Sequence, residues 1–429
     1  MRIAIYTLGC KVNQYETQAM EQELAARGHQ LVDFEQPADA YIINTCSDTA
    51  VSDKKSRQMI RRAKKMNPDA VVAACGCYVQ THTDEAAALG IDLIGGTGQR
   101  MEFLQQLLTA AEEKQTRVLV DDALHRHEFE ILPAGGQQSR TRAMLKVEDG
   151  CRNFCTYCLI PFARGPERSM PFDTAVSEAR KLAEEGYREI VLTGIEISAY
   201  GRDLPGRPGL ISLIEALCQA APGCRIRLGS LEPRTVTEDF ARRCAALPNL
   251  CPHFHLSLQS GCDKTLRAMN RHYTAGEYKA ACGLLRRYLP GCGLTTDLIV
   301  GFPGETREDF EESLRFVTEC ELGKVHVFPY SRRQGTRAAS MPGQLSQAEK
   351  AARSQQAIRV CRALEQKDLE ARVGQTYDVL FEQQEDGWFT GHIPEYCLVK
   401  ARGEDLHNRV LPVKITGFEE EALIGEVLA

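Results

Sequence analysis

The sequence predicts an α/β fold in three parts: a doubly wound parallel sheet, an incomplete (β/α)6 barrel, and a small OB-like β-barrel. Three observations carry this. Apolar runs of strand length alternate with helical periodicity over the first 125 or so residues, and the alternation resumes for six units between Arg142 and Phe328. Beyond Thr376 the texture changes to short alternating strands. At 429 residues the chain exceeds one ordinary core, so two or three domains are expected. Its 43% hydrophobic and 26% charged content is that of a globular protein. No run approaches the ~18 apolar residues of a membrane span.

In the first part, Arg2–Leu8, Ala40–Asn44 and Ala70–Ala74 read as strands, each ending in a small or polar turn. Tyr15–Arg27, Asp53–Met66 and Thr83–Leu89 follow them with helical spacing. A weaker strand, Asp92–Ile94, precedes a helix around Met101–Leu108. In open sheets of this kind ligands bind outside the carboxyl ends of the strands. Cysteines stand at those ends: Cys10 after the first strand, Cys46 after the second, Cys75 and Cys77 after the third. Three strand ends bringing thiols to one crevice would make an iron–sulfur site from distant segments. Small buried core residues, the usual role of cysteine, give the same pattern. From spacing, Cys75 competes with Cys77 for the third place.

Residues 117 to 140 read as a less regular connector, with Pro133 and Gly135-Gly136 at a boundary. Six strands follow: Arg142–Val147, Glu189–Leu192, Arg225–Leu228, His253–Leu258, Gly293–Val300 and Lys324–Phe328. Helical stretches such as Phe172–Glu185, Ile211–Ala220, Val236–Leu247 and Arg307–Cys320 separate them. Such a barrel carries its chemistry at the carboxyl ends of the strands. A charged helix, Gln347–Leu369, leads to strands at Tyr377–Glu382, Trp388–His392, Tyr396–Lys400, Arg409–Ile415 and Ala422–Val427. Five short strands in so short a tail fit an OB-like barrel, a common nucleic-acid binder.

The loop after the first barrel strand is Cys151-Arg152-Asn153-Phe154-Cys155-Thr156-Tyr157-Cys158, a C-x3-C-x2-C cluster. Three thiolates this close can hold three irons of a 4Fe-4S cube and leave the fourth open to a small molecule. On a helix the three would share one buried face, but Gly150 before them and Pro161 after them oppose a packed helix. Structural zinc wants four ligands, and no close fourth Cys or His follows Cys158. With 17 cysteines in 429 residues, roughly 0.03 such triplets arise by chance. That odd count, in a chain opening directly on a strand pattern, fits free thiols in a reducing cytoplasm rather than a disulfide framework.

Together with these cysteines, several further segments make the chain similar, over essentially its whole length, to the methylthiotransferases of the radical S-adenosylmethionine superfamily. They are Leu8-Gly9-Cys10-Lys11-Val12-Asn13, Asn44-Thr45-Cys46, Gly76-Cys77, Arg164-Gly165-Pro166-Glu167-Arg168-Ser169, Leu258-Gln259-Ser260-Gly261 and Gly301-Phe302-Pro303-Gly304-Glu305-Thr306. The resemblance implies an N-terminal methylthiotransferase domain over 1–125, a radical S-adenosylmethionine core over 137–367 and a TRAM domain over 370–429. It implies two 4Fe-4S clusters, one on Cys151, Cys155 and Cys158 that binds S-adenosylmethionine, and an auxiliary one on Cys10, Cys46 and Cys77. The family pattern, in which the ligand follows the glycine, prefers Cys77 to Cys75.

The same resemblance places Tyr157 against the cofactor's adenine, Gly194 and Glu196 at its methionine end, and Glu232 at its ribose. Gly301 and Gly304 would permit close backbone approach. An ordinary surface carboxylate is the competing reading of both acids. The implied activity is methylthiolation of carbon 2 of adenosine 37 in tRNA, an unactivated C–H bond for which a radical route suits and acid–base catalysis offers little. Two S-adenosylmethionine molecules would serve each turnover, one giving methyl and one the radical.

Gly9-Cys10-Lys11-Val12-Asn13-Gln14-Tyr15-Glu16 and Phe328-Pro329-Tyr330-Ser331 are most similar to the branch acting on threonylcarbamoyladenosine. Branches acting on isopentenyladenosine or on a ribosomal-protein aspartate share the plan, and Thr17 stands where the commoner pattern has serine. A non-catalytic iron–sulfur RNA sensor is the rival of another class, opposed by the full set of barrel units. Implied partners are the anticodon stem-loop of tRNA, an electron donor such as flavodoxin or ferredoxin, and a sulfur source, with no membrane.

Seven basic residues lie between Lys54 and Lys65, and Arg57, Arg61, Arg62 and Lys65 are candidate phosphate contacts. A merely solvated helix face would look the same. A net charge of −6 gives RNA no general attraction. Residues 372–429 hold eleven acids against five Lys and Arg, an unusual balance for an RNA clamp. Trp388, Phe389 and Tyr396 could stack on bases or fill the core of the small barrel.

Overall fold

The structure is a computed structural model describing residues 1–113, 116–135 and 141–428. Gly136, at the expected boundary, and 137–140, at the start of the expected core, lie outside them. The first domain is a six-stranded, wholly parallel sheet. Its strands run Gln30–Val32, Arg2–Thr7, Ala40–Thr45, Val71–Gly76, Leu93–Gly95 and Arg117–Leu119 from edge to edge. Alternate residues of each strand point to opposite faces. Ile3, Ile42, Ala73 and Leu93 pack under Met20, Leu24, Phe103 and Leu104, while Ala4, Tyr41, Ile43 and Val72 pack under Met59, Ile60 and Ala63. The four expected strands are present. The two edge strands have three residues each, too few for a period of two to show, and Arg117–Leu119 occupies the start of the stretch read as a connector.

The central domain is an arc of six parallel units. Arg142–Lys146, Glu189–Thr193 and Arg225–Leu228 form one sheet; Ser230–Leu231, His253–Leu256, Gly293–Val300 and Lys324–Pro329 form the next. The third strand is broken at Gly229 and contributes to both sheets. The arc does not close, and the first domain's Lys11–Ala26 helix packs on the Arg142–Lys146 edge. Tyr15 and Ala19 of that helix belong to the barrel's own apolar core, and Tyr15 donates to Leu132 O at 2.5 Å. The helix Ala275–Tyr288 carries a capping box, with Thr274 and Glu277 each satisfying the other's backbone N–H.

The helix Gln347–Arg372 joins the arc to a closed five-stranded barrel ordered Thr376–Glu385, Trp388–His392, Leu398–Arg402, Ala422–Val427 and Val410–Glu419. The α/β class, the open central arc and the small closing barrel expected from sequence are all present. The base-stacking reading of the tail aromatics is not supported as it stood. Phe389 is 4% exposed inside the small barrel. Tyr396 is stacked between His253 and His392 with ring centroids 4.8 Å away on each side. Arg402 lies over Trp388 at 4.7 Å. The small barrel is bolted to the amino ends of the arc. Arg225 donates to Asp378 O and His392 O, Arg227 to Pro394 O, and Arg142 pairs with Glu382 at 2.6 Å. No helix of the described residues is long and apolar enough to cross a membrane.

Candidate active site

The C-x3-C-x2-C loop leaves the arc after Glu148–Asp149 and is anchored by Cys151 N–H donating to Gly165 O at 2.9 Å. Phe154 sits at φ +46°, in the left-handed region a non-glycine residue enters only when its surroundings require it. Donors aim at the sulfurs: Asn153 N–H at Cys151 Sγ (3.5 Å), Ile160 N–H at Cys158 Sγ (3.4 Å) and Arg271 Nη1 at Cys155 Sγ (3.2 Å). Burial, followed by Cys155 nearby, pushes the Cys158 thiol up to about 12, and burial raises Cys151 as well. Metal binding at such a site must displace protons, and the converging donors favour the thiolate that results.

The first domain supplies a second set. Cys10 is the N-cap of the Lys11–Ala26 helix, Cys46 follows Ala40–Thr45, and Cys77 follows Val71–Gly76. A β-carbon on Gly9 would stand 2.7 Å from Cys46 Sγ. Burial pushes Cys46 up to about 12, with Cys77 and Cys10 adding to it; Cys10 is raised by burial while Arg164 pulls it down. The three thiols thus lie within electrostatic reach of one another. Cys75 points the other way, fully buried among Met20, Phe103 and Leu104. Among the described residues, the one group of three metal-binding side chains with all ligand atoms within 4.8 Å is Cys262, Asp309 and Glu312. A 4Fe-4S cube would take each thiolate of a triad on a different iron.

A seam of polar residues separates the two triads. Arg333, 4% exposed, donates to Ser47 O, to Ser47 Oγ (2.6 Å) and to Asp53 (3.3 Å), and Ser331 Oγ accepts from Ala50 N–H. Asp48, two residues from Cys46, is raised by burial and countered by Arg333, and Cys158 feels both charges. Behind the seam, Glu16 of the first domain binds Arg100 (2.8 Å), Lys146 (3.3 Å) and Arg164, and Asn13 accepts from Arg164 at 2.7 Å. Arg164 and Arg168 of the Arg164–Ser169 segment are both buried, and Arg168 donates to Arg164 O and Pro166 O.

Residues expected at the cofactor gather on the other side of the central thiols. Glu196 accepts from Asn153 Nδ2 (3.3 Å), and its N–H donates to Glu148 Oε2 at 2.6 Å. Burial, then the facing Glu232, pushes Glu196 up to about 7. Both acids are half-buried. A β-carbon on Gly194 would meet Glu148 Oε2 at 2.9 Å. Tyr157 is half-buried, edge-on to Phe302 at 6.5 Å. Gly301 (φ +73°) is crowded by the Lys350 stem, 2.5 Å from where its β-carbon would be, and Gly304 N–H donates to Gly343 O. Gly301 is thus crowded by the chain itself, whereas a β-carbon on Gly304 would meet nothing within 4 Å.

The basic helix, Ala50–Met66, starts at the seam and runs away from it. Arg57 lies over Tyr78 and near Glu85, Arg62 pairs with Glu35, and Lys64 donates to Leu89 O. Lys54, Lys55, Arg61 and Lys65 are exposed with no ion pair among the described residues. Sequence reasoning passed over Arg271, Arg333, Glu148 and Lys11. Arg271 and Arg333 have no local signal, since each acts on a residue over a hundred positions away. Lys11 was visible beside Cys10.

Comparison with known proteins agrees with this architecture. The model of the radical SAM superfamily matches residues 145–317, and one described as "Uncharacterized protein family UPF0004" matches residues 2–96. The chain is 38% identical to the threonylcarbamoyladenosine tRNA methylthiotransferase MtaB of Bacillus subtilis, covering 96% of this chain and 93% of that protein. It is 35% identical to the tRNA-2-methylthio-N(6)-dimethylallyladenosine synthase of Symbiobacterium thermophilum, covering 100% and 94%. Among solved structures, the radical S-adenosylmethionine methyltransferase TsrM from Kitasatospora setae superposes with a TM-score of 0.59 at 16% identity, covering 79% of this chain and 77% of that one. That last likeness is one of fold.

Proposed function

The chain belongs to the methylthiotransferases of the radical S-adenosylmethionine superfamily, and on that premise we propose that it methylthiolates carbon 2 of N6-threonylcarbamoyladenosine at position 37 of tRNA, using two 4Fe-4S clusters and two S-adenosylmethionine molecules. The observation that carries the reading is the pair of cysteine triads flanking one seam, each with an aimed donor set or mutual electrostatic contact. The clusters and S-adenosylmethionine, when bound, supply the one-electron chemistry that an unactivated C–H bond needs.

The protein's own residues do the rest. Cys151, Cys155 and Cys158 hold one cluster, and Arg271 steadies Cys155. Cys10, Cys46 and Cys77 hold the other. Tyr157, Gly194, Glu196 and Glu232 orient the cofactor, with Asn153 fixing the Glu196 carboxylate; Gly301 and Gly304 shape the loop beneath it. The buried Arg333 ties Ser47 and Asp53 of the first domain to the barrel between the two sites. The exposed cations of the Ala50–Met66 helix meet the anticodon stem-loop, and an electron donor such as flavodoxin or ferredoxin and a sulfur source complete the requirements in a cytoplasmic setting.

The 35% identity to a dimethylallyladenosine enzyme favours isopentenyladenosine 37 as the second substrate reading. Mass spectrometry of tRNA nucleosides from a deletion strain, with and without the gene restored, separates them. Loss of 2-methylthio-N6-threonylcarbamoyladenosine alone is expected; loss of the isopentenyl counterpart instead would overturn the choice of branch.

A further inference from the structure

A cavity of about 840 Å³ fills the inside of the open arc. Gly9, Cys10 and Lys11 bound it on the side of the first domain, and His392 and Tyr396 bound it on the side of the small barrel. The auxiliary cysteine Cys10 and its neighbour Lys11 therefore look into the same space.

Most of the charges of this wall have partners or opposite charges nearby. Of its two lysines, Lys324 is held by Glu365 (2.9 Å) and Glu421 (2.8 Å). His255 takes Thr295 and Asp297, and Asp368 takes Arg372. Glu395 faces Arg372, Arg227 and Arg225. Lys11 has no hydrogen bond and no ion pair among the described residues. The charged groups it feels are Arg142 and Arg227, which repel it, and Glu189, which is already bound to Arg227 at 2.7 Å. An unpaired ammonium that lines the cavity beside two guanidinium groups is stabilised by an incoming anion.

Resting on the substrate reading above, we propose that Lys11 receives the threonyl carboxylate of the modified adenosine and so selects the threonylcarbamoyl substrate over an uncharged N6 substituent. In an adenine ring, carbon 2 and the carbon bearing N6 are separated by one ring nitrogen. Placing carbon 2 at the cluster held partly by Cys10 therefore brings the N6 substituent to the residue beside it. The threonylcarbamoyl group ends in a carboxylate, whereas an isopentenyl group would leave the ammonium unpaired. A site built around a charge rejects the analogue that lacks it more strongly than an apolar pocket rejects one of different size.

The test uses the holoprotein and two anticodon stem-loops, one with threonylcarbamoyladenosine and one in which the threonyl carboxylate is replaced by a carboxamide. The wild type should prefer the carboxylate in kcat/KM by about 10- to 100-fold, the size of a charge-assisted hydrogen bond. Lys11→Met should erase that preference by losing rate on the carboxylate substrate alone, and Lys11→Arg should restore part of it. An equal loss on both substrates, or a wild type indifferent to the change, would overturn the assignment of Lys11 and leave the substrate reading standing. A wild type that modifies neither stem-loop but accepts an isopentenyl one would overturn both.

Discussion

Replacing Glu16 with Gln should cost more stability than any other single change at the contact between the first two domains. The carboxylate is 0% exposed and is shared among Arg100 of its own domain and Lys146 and Arg164 of the barrel. Asp149 is the second anion in reach, already taking Lys146 (3.3 Å), Arg164 (3.4 Å) and Arg168 (3.5 Å). A neutral Gln leaves four buried cations, Arg100, Lys146, Arg164 and Arg168, with one carboxylate, Asp149. Removing one partner of a buried ion pair costs about 3–5 kcal/mol. Burial alone would raise the Glu16 carboxyl, but Arg100, Arg164 and Lys146 outweigh it and hold the group well below the usual carboxylate range. Because the folded value is the lower one, its stabilisation is complete above the ordinary value of about 4.3 and disappears as pH falls through the folded value. Anaerobic urea unfolding of the holoprotein at pH 7 measures the first effect, and the fall of stability as pH drops further and further below about 4.3 measures the second. A Glu16→Gln loss below about 1 kcal/mol, the scale of a solvated pair, would refute the reasoning, as would an acid sensitivity equal to that of the wild type.

Reconstituted protein should carry about eight irons, and Cys151→Ala, Cys155→Ala and Cys158→Ala together should leave about four; an unchanged iron count would sink the central assignment. The triple variant Cys10→Ala, Cys46→Ala, Cys77→Ala should still form 5′-deoxyadenosine while transferring no methylthio group. Cys75→Ala, by contrast, should keep transfer, so an inactive Cys75→Ala beside an active Cys77→Ala would reverse the choice. Changing Lys54, Lys55, Arg61 and Lys65 to Glu should weaken stem-loop binding most at low salt, each lost contact lowering the slope of log affinity against log salt by somewhat under one unit. Identical affinities across the salt series would reduce the helix to a solvated face.

What could be read from sequence was local. Strand–helix alternation and the C-x3-C-x2-C spacing repeat within a few residues, so the α/β class, the six-unit arc and the closing barrel were all legible. The three-residue edge strands were not, because a period of two needs more turns of the pattern. Lys11–Ala26 begins four residues before the expected start, at Tyr15, because its N-cap, Cys10, offers no side-chain hydrogen bond and gives no capping signal. The difference between Cys75 and Cys77 could not be read from spacing: the pleat turns Cys75 toward Met20, Phe103 and Leu104, and Cys77 lies past the strand's end, at the start of the next helix. The basic run was legible as charge but not as free charge, since Glu35 and Leu89 O, which occupy Arg62 and Lys64, lie 27 and 25 positions away.

One long-range pairing between the domains bears most directly on the chemistry. Glu16 and Arg164 are 148 positions apart, yet Arg164 also reaches Asn13 and lowers the cost of charge at Cys10 against the effect of burial. Cys10 already sits at the amino end of a sixteen-residue helix, where the backbone dipole favours a thiolate. The first domain alone would supply the thiols and this dipole, but not the guanidinium. Docking onto the barrel brings the guanidinium in and, at the same step, places Lys11 inside the arc. In the function proposed above, the auxiliary site is thus completed by a residue of the neighbouring domain.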